Sequence, residues 1–220
     1  MITALLLAAA AAAAPTAKAP AMTAVDAELA FARDAKRIGQ WSAFLKWSDL
    51  DAVMFTPQAV WAHTFLKTLK DPPNAISWRP THSFVSCDRR TAVNTGPWFK
   101  QDGTVGGYFT TVWQRTPRGW RWVYDGGGPS SDPAPSGKPQ SHRASCSKAP
   151  GPPIIPPPPL SDKKARTTPE DNGRGQSADK TLGWGWNVDK DGSRKLRVYQ
   201  WKGATYGQVL YNDVPAPPAR

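Results

Sequence analysis

Three side chains in the middle of the chain have the chemistry for moving a proton: His82, Tyr108 and Asp125. An imidazole can act as acid or base near neutral pH, a phenol can polarise a carbonyl, and a carboxylate can orient the imidazole or abstract a proton itself. Asp34 is a fourth, more distant acid. Around these stand Trp78, Trp98, Trp113 and Trp122, four of eleven tryptophans in 220 residues. Indoles stack on flat or cyclic ligands, and they fill cores equally well. Each acid–base candidate also has a plain structural reading. His82 is a strand residue, Tyr108 packs beside Gly106-Gly107, and Asp125 forms a turn before Gly126-Gly127-Gly128. No complete catalytic set stands out, so a binder of a small apolar or cyclic ligand is the first reading. An acid–base enzyme is the alternative. Three histidines (His63, His82 and His142) and two cysteines show no metal-ligand spacing. No nucleophile elbow, phosphate loop or dinucleotide glycine motif occurs, and no cofactor is expected.

These residues fall on runs of strand length between Asn74 and Asp125. Turn residues cut the stretch at Asp88-Arg89-Arg90, Gln101-Asp102-Gly103 and Thr116-Pro117-Arg118-Gly119. Aromatic, β-branched runs joined by such turns predict an antiparallel meander. Two-residue alternation then sorts the side chains by face. His82, Phe84 and Ser86 oppose Ser83, Val85 and Cys87, and Tyr108, Thr110 and Val112 oppose Phe109, Thr111 and Trp113. Trp120, Trp122 and Tyr124 oppose Arg121, Val123 and Asp125. A bulge would exchange faces within a strand.

Ahead of the meander, residues 22–38 read as an amphipathic helix. Thr23 and Asp26 stand at capping-box spacing, and Gly39 is the stop. A second helix is expected over 41–50, a strand over 52–55 and a third helix over 58–69, where Trp61, Phe65 and Leu69 recur at four-residue spacing. Residues 1–21 are apolar, short and alanine-rich, with Ala19-Pro20-Ala21 as a cleavage site. They read as an export signal, which places the mature chain in the periplasm or outside the cell. Nothing later is long and apolar enough for a membrane helix. In an oxidising compartment Cys87 and Cys146 can pair.

This order of helices and Trp-rich strands resembles the SnoaL-like branch of the nuclear-transport-factor-2-like superfamily. The resemblance covers about residues 22–128. It rests on Glu28-Leu29-Ala30-Phe31-Ala32, Trp78-Arg79-Pro80, Gly96-Pro97-Trp98, Gly107 to Arg115, and Trp120-Arg121-Trp122-Val123-Tyr124-Asp125. It implies an α+β fold: three N-terminal helices packed on a strongly curved antiparallel sheet, with a cone-shaped pocket between them. It implies no single chemistry, because such cones serve isomerases, dehydratases, cyclases, hydrolases and plain binding proteins.

Residues 129–180 read as a Pro-rich and polar linker, with polyproline II over 156–159. Residues 181–214 read as a three-stranded meander packed on the main domain. The net charge of +11 is spread over both halves. It forms no arm for nucleic acid, and it leaves a weaker reading as a basic protein that meets anionic envelope polymers. A homodimer through the sheet is a further partner expectation.

Overall fold

The computed structural model describes residues 21–148, 151 and 168–218. The export-signal reading, apart from Ala21, and the polyproline reading lie outside the described residues.

Helix α1 (Ala24–Ile38) starts where the sequence places it. Thr23 Oγ1 accepts from the Asp26 amide at 3.1 Å, and Asp26 Oδ2 accepts from the Thr23 amide at 2.9 Å. Gly39, at φ 105°, ends it and turns the chain directly into α2 (Gln40–Trp47). That helix has no capping side chain of its own. Its cap comes from Asp71, whose Oδ1 accepts from the Trp41 amide at 2.5 Å and the Ser42 amide at 3.1 Å. A β-carbon on Gly39 would stand 2.2 Å from that carboxylate, so glycine is required there by space as well as by dihedral.

After α2 the chain departs from the expected three helices on an antiparallel sheet. Strands β1 (Ser48–Phe55) and β2 (Ala59–Trp61) come next, and the third helix, α3 (Ala62–Leu66), is five residues long. The four-residue spacing of Trp61, Phe65 and Leu69 is real. Pairing of Val53, Met54 and Phe55 with Trp61, Val60 and Ala59 nevertheless commits the start of that segment to strand. The remaining strands of the large sheet are β3 (Ser77–Trp78), β4 (His82–Val85), β5 (Thr91–Phe99), β6 (Val105–Thr116), β7 (Gly119–Gly128) and β8 (Gln140–Arg143). Their order is β2-β1-β7-β6-β5-β4-β8, with β3 on β5. The sheet is mixed, because β1 runs parallel to β7 and β8 parallel to β4.

The C-terminal sheet has four strands, not three: β9 (Asn172–Gln176), β10 (Leu182–Val188), β11 (Arg194–Trp201) and β12 (Tyr206–Val214), in the order β12-β11-β10-β9. Strands β8 and β9, read as linker from the sequence, consist of Gln-Ser-His-Arg and Asn-Gly-Arg-Gly-Gln. They carry no apolar alternation and are strands because a neighbour supplies the ladder.

The large sheet is packed on both faces. On one, α1 and α2 cover Ala92, Phe109, Trp113, Trp120 and Trp122. On the other, Leu182, Trp184, Trp186, Leu196 and Val198 of the four-stranded sheet cover Val53, Val93, Val112 and Tyr124. The register of β6 and β7 explains how β7 serves both. Val112 faces Tyr124 and Trp113 faces Trp122, which leaves Val123 as an extra residue. This bulge breaks the two-residue beat. Val123 and Tyr124 both pack toward the second sheet, and Asp125 returns to the helix side with Trp120 and Trp122.

The seam between the sheets is polar and cross-linked. Gln200 Nε2 donates to the Val85 and His142 carbonyls at 3.1 and 2.6 Å, and the Cys87 amide donates to Thr181 Oγ1 at 2.8 Å. The Cys87–Cys146 disulfide closes this corner across 59 residues, as the sequence anticipates for an oxidising compartment. Among the described residues no helix is long and apolar enough to cross a membrane.

Candidate functional site

Between the helices and the large sheet lies a cavity of 420 Å³. Trp41 and Phe44 of α2, Trp78 of β3, Trp98 of β5 and Phe109 of β6 wall it. It is held open by rings that cannot collapse into one another. Phe44 meets Phe31, Trp41, Trp78 and Trp122 edge to face, with centroids 4.7 to 6.2 Å apart.

A few polar groups enter this apolar space, Gln40 from α2 among them. Asp125, Tyr108 and the Gly126–Gly128 backbone come from the large sheet, and Arg194 comes from the first residue of β11. Asp125 Oδ2 accepts from Thr111 Oγ1 at 2.8 Å, and that is its only hydrogen bond among the described residues. Burial pushes the Asp125 carboxyl up from 3.8 to about 7, against the Thr111 hydrogen bond and the pull of Arg194. Burial also raises the Tyr108 hydroxyl, opposed by Arg194, so the phenol stays protonated. A carboxyl poised near neutrality in an aromatic cavity can exchange a proton with a bound molecule at working pH.

Behind the wall sits a second acid that is not among the candidates drawn from the sequence. Glu28 is fully buried. Its Oε1 accepts from Trp78 Nε1 at 2.9 Å, and its Oε2 accepts from Trp113 Nε1 at 2.6 Å and Asn94 Nδ2 at 3.1 Å. Burial raises it from 4.5 to about 7, and Asp125 adds to the rise. Glu28 therefore fixes the two indoles that form and back the cavity wall. The signal for it was present: Ala24, Ala27, Glu28, Phe31 and Ala35 make one buried stripe on α1, with a carboxylate inside it.

The other sequence candidates separate. Tyr108, Asp125, Trp78 and Trp98 meet at the cavity. Trp113 and Trp122 are fully buried in the core behind it. His82 lies on the outer face of β4, stacked with Phe84 and His142 at 6.4 and 5.7 Å. There it lines a separate recess of 490 Å³, next to Thr95, Asp132 and Asp213, that shares only Tyr108 with the cavity. Asp34 takes Lys46 Nζ at 2.6 Å and Trp47 Nε1 at 3.0 Å, which tie α1 to α2, and Arg37 Nη2 at 2.8 Å within α1. These contacts, against burial, hold its carboxyl down at about 2. Among the described residues no three His, Cys, Asp or Glu side chains are grouped to hold a metal ion.

No family model and no curated protein matches this chain. Among solved structures, a chain provisionally described as an aromatic ring hydroxylase from Novosphingobium aromaticivorans is similar over 50% of this chain and 87% of its own. The identity is 16% and the TM-score 0.35. A second, provisionally described as a calcium/calmodulin dependent protein kinase II association domain from Xanthomonas campestris, overlaps 50% of this chain and 88% of its own, at 13% identity and TM-score 0.34. At these scores the likeness is too loose to carry an assignment.

Proposed function

We propose that this chain is an exported small-molecule-binding protein whose cavity takes a flat or cyclic, mostly apolar ligand. One observation carries the reading: a 420 Å³ space walled mostly by aromatic rings, with a few polar groups, Asp125, Tyr108, Arg194 and Gln40, at its lining. That is the size and lining of small-ligand pockets in general. The resemblance of residues 22–128 to the SnoaL-like branch belongs to the same reading, and the disulfide supports export. Because the outer face of the large sheet is covered by the four-stranded sheet, the reading takes a single chain as the binding unit. The test is native mass spectrometry on protein purified from its own cells, followed by thermal shift with cyclic compounds. A retained molecule, or a rise in Tm that Trp98→Ala removes, is the expected result. No adduct and no shift with any compound would end this reading.

A second reading adds catalysis. The observation favouring it is the Asp125 carboxyl, raised to about 7 at the cavity surface with Thr111 as its only hydrogen-bond partner among the described residues. Asp125 would take a proton from a bound ring compound and return it, with the Tyr108 hydroxyl donating to the oxygen that gains charge. Asp125→Asn should then abolish turnover of any identified substrate without loss of ligand binding. Full activity in that variant rules the mechanism out.

A further inference from the structure

We propose that Arg194 reads an anionic head group, so that the ligand is a small aromatic or cyclic carboxylate rather than a neutral ring. This rests on the cavity being a ligand site, and it goes further by naming the ligand's charge.

Arg194 opens β11, in the sheet that otherwise packs on the far face of the molecule, yet its side chain reaches the cavity. It is held in place on two sides. Nη2 donates to the Gly127 carbonyl, and the guanidinium carbon sits 5.1 Å from the Phe55 ring centroid. The Gly127 carbonyl is free for this because β1 pairs with β7 only as far as Tyr124. The neighbouring glycines clear the ground around it. A β-carbon on Gly126 would stand 2.7 Å from the Tyr124 hydroxyl, and one on Gly128 would stand 3.0 Å from the Tyr108 hydroxyl.

What the guanidinium lacks is a counter-charge. Among the described residues no carboxylate lies within ion-pair distance of Arg194, its one hydrogen bond goes to a neutral carbonyl, and its Nε is buried without a partner. The ionisable groups that face it are Tyr108, Tyr124 and Asp125. Both phenols are held neutral by burial, and Asp125 is protonated below about 7. Arg194 is half-buried with its Nε enclosed, a cation left unpaired there is unfavourable, and a carboxylate is the group whose geometry fits the guanidinium fork. The aromatic walls supply the ring-binding surface, and the volume admits a one- or two-ring acid.

The test is calorimetric titration of the whole chain near pH 6 with naphthalene-2-carboxylate and with its neutral amide. The wild type should bind the carboxylate about tenfold or more tightly than the amide, the range expected of a charged hydrogen bond. Arg194→Gln should lose that preference and keep its affinity for the amide, while Arg194→Lys keeps part of the preference. Equal affinities in the wild type would overturn the proposal and leave the binding reading standing, and this comparison needs no variant to fold. A carboxylate preference that survives in folded Arg194→Gln would overturn it as well. If neither probe nor any cyclic compound binds, the cavity is not a ligand site and both readings fall together.

Discussion

The two faces of the large sheet solve opposite problems with the same strands. Toward the four-stranded sheet, Val93, Val112 and Tyr124 meet Leu182, Leu196 and Val198 in close packing, and no acid is buried among them. Toward the helices, Trp41, Phe44, Trp78, Trp98 and Phe109 wall a void, with Glu28 buried behind it and Asp125 half-buried at its side. Rings stand on both faces: Trp184 and Trp186 pack with aliphatic side chains on the closed one, and Trp41, Phe44 and Trp78 brace each other edge to face beside a void on the other. The closed face therefore supplies stability, and the open face spends some of it on unfavourable carboxyls.

That division can be broken most forcefully at the seam. Replacing Cys87 and Cys146 by serine should remove about 4 kcal/mol, the entropy of a loop of this length. Urea unfolding checks it. A loss under about 1 kcal/mol would mean that the β4–β8 pairing and the hydrogen bonds around it hold this corner alone.

Leu196→Ala on the closed face should cost about 3 kcal/mol while leaving ligand affinity unchanged below the melting range. Trp98→Ala at the half-buried cavity wall should do the reverse, with little loss in Tm and a clear loss of ligand binding. Exchanged outcomes would reverse the assignment of the two faces.

Acidity sharpens the same contrast. Glu28 and Asp125 have folded-state pKa values near 7, well above the unfolded values of 4.5 and 3.8. Between those limits the folded chain holds protons that the unfolded chain has lost. Stability should therefore be fullest near pH 4 and fall as pH rises to about 7, by at most on the order of 3 to 4 kcal/mol for each group. Asp125→Asn should flatten its share of that slope in a pH series of thermal melts. Asp34 acts in the opposite sense: its contribution is complete above 3.8 and is lost as pH falls toward 2. A flat profile between pH 4 and 7 would mean that neither acid is as buried as its contacts imply.

The smallest effect belongs to Asp71→Ala. It should cost about 1 kcal/mol through loss of the α2 cap, read as a lower Tm. Ligand affinity should weaken with it, because α2 carries Trp41 and Phe44 into the cavity.

How much of this was readable before the structure depends on whether a residue's place is set locally. The capping box at Thr23, the stop at Gly39 and the turns between β4 and β7 follow from side-chain chemistry within a few positions, and all are where the sequence puts them. Strand β8 was invisible because Gln140–Arg143 becomes a strand only beside β4. The expected helix over 58–69 gave way for the same reason, in its pairing with β1. At the site, strict alternation puts Asp125 opposite Trp122, and the extra residue at Val123 brings both to the cavity side. Arg194 could not be foreseen, since no local pattern links the start of β11 to a space bounded by residues 40–128.

The covering of the outer face has a consequence for how the chain is made. Synthesis delivers Val93, Val112 and Tyr124 long before Leu182, Leu196 and Val198, the residues that bury them. Until the last third emerges, the nascent molecule carries a sticky, unroofed sheet and a cavity without its arginine, a state prone to self-association. Its maturation thus has a built-in order, in which the roof and the charge arrive together and last.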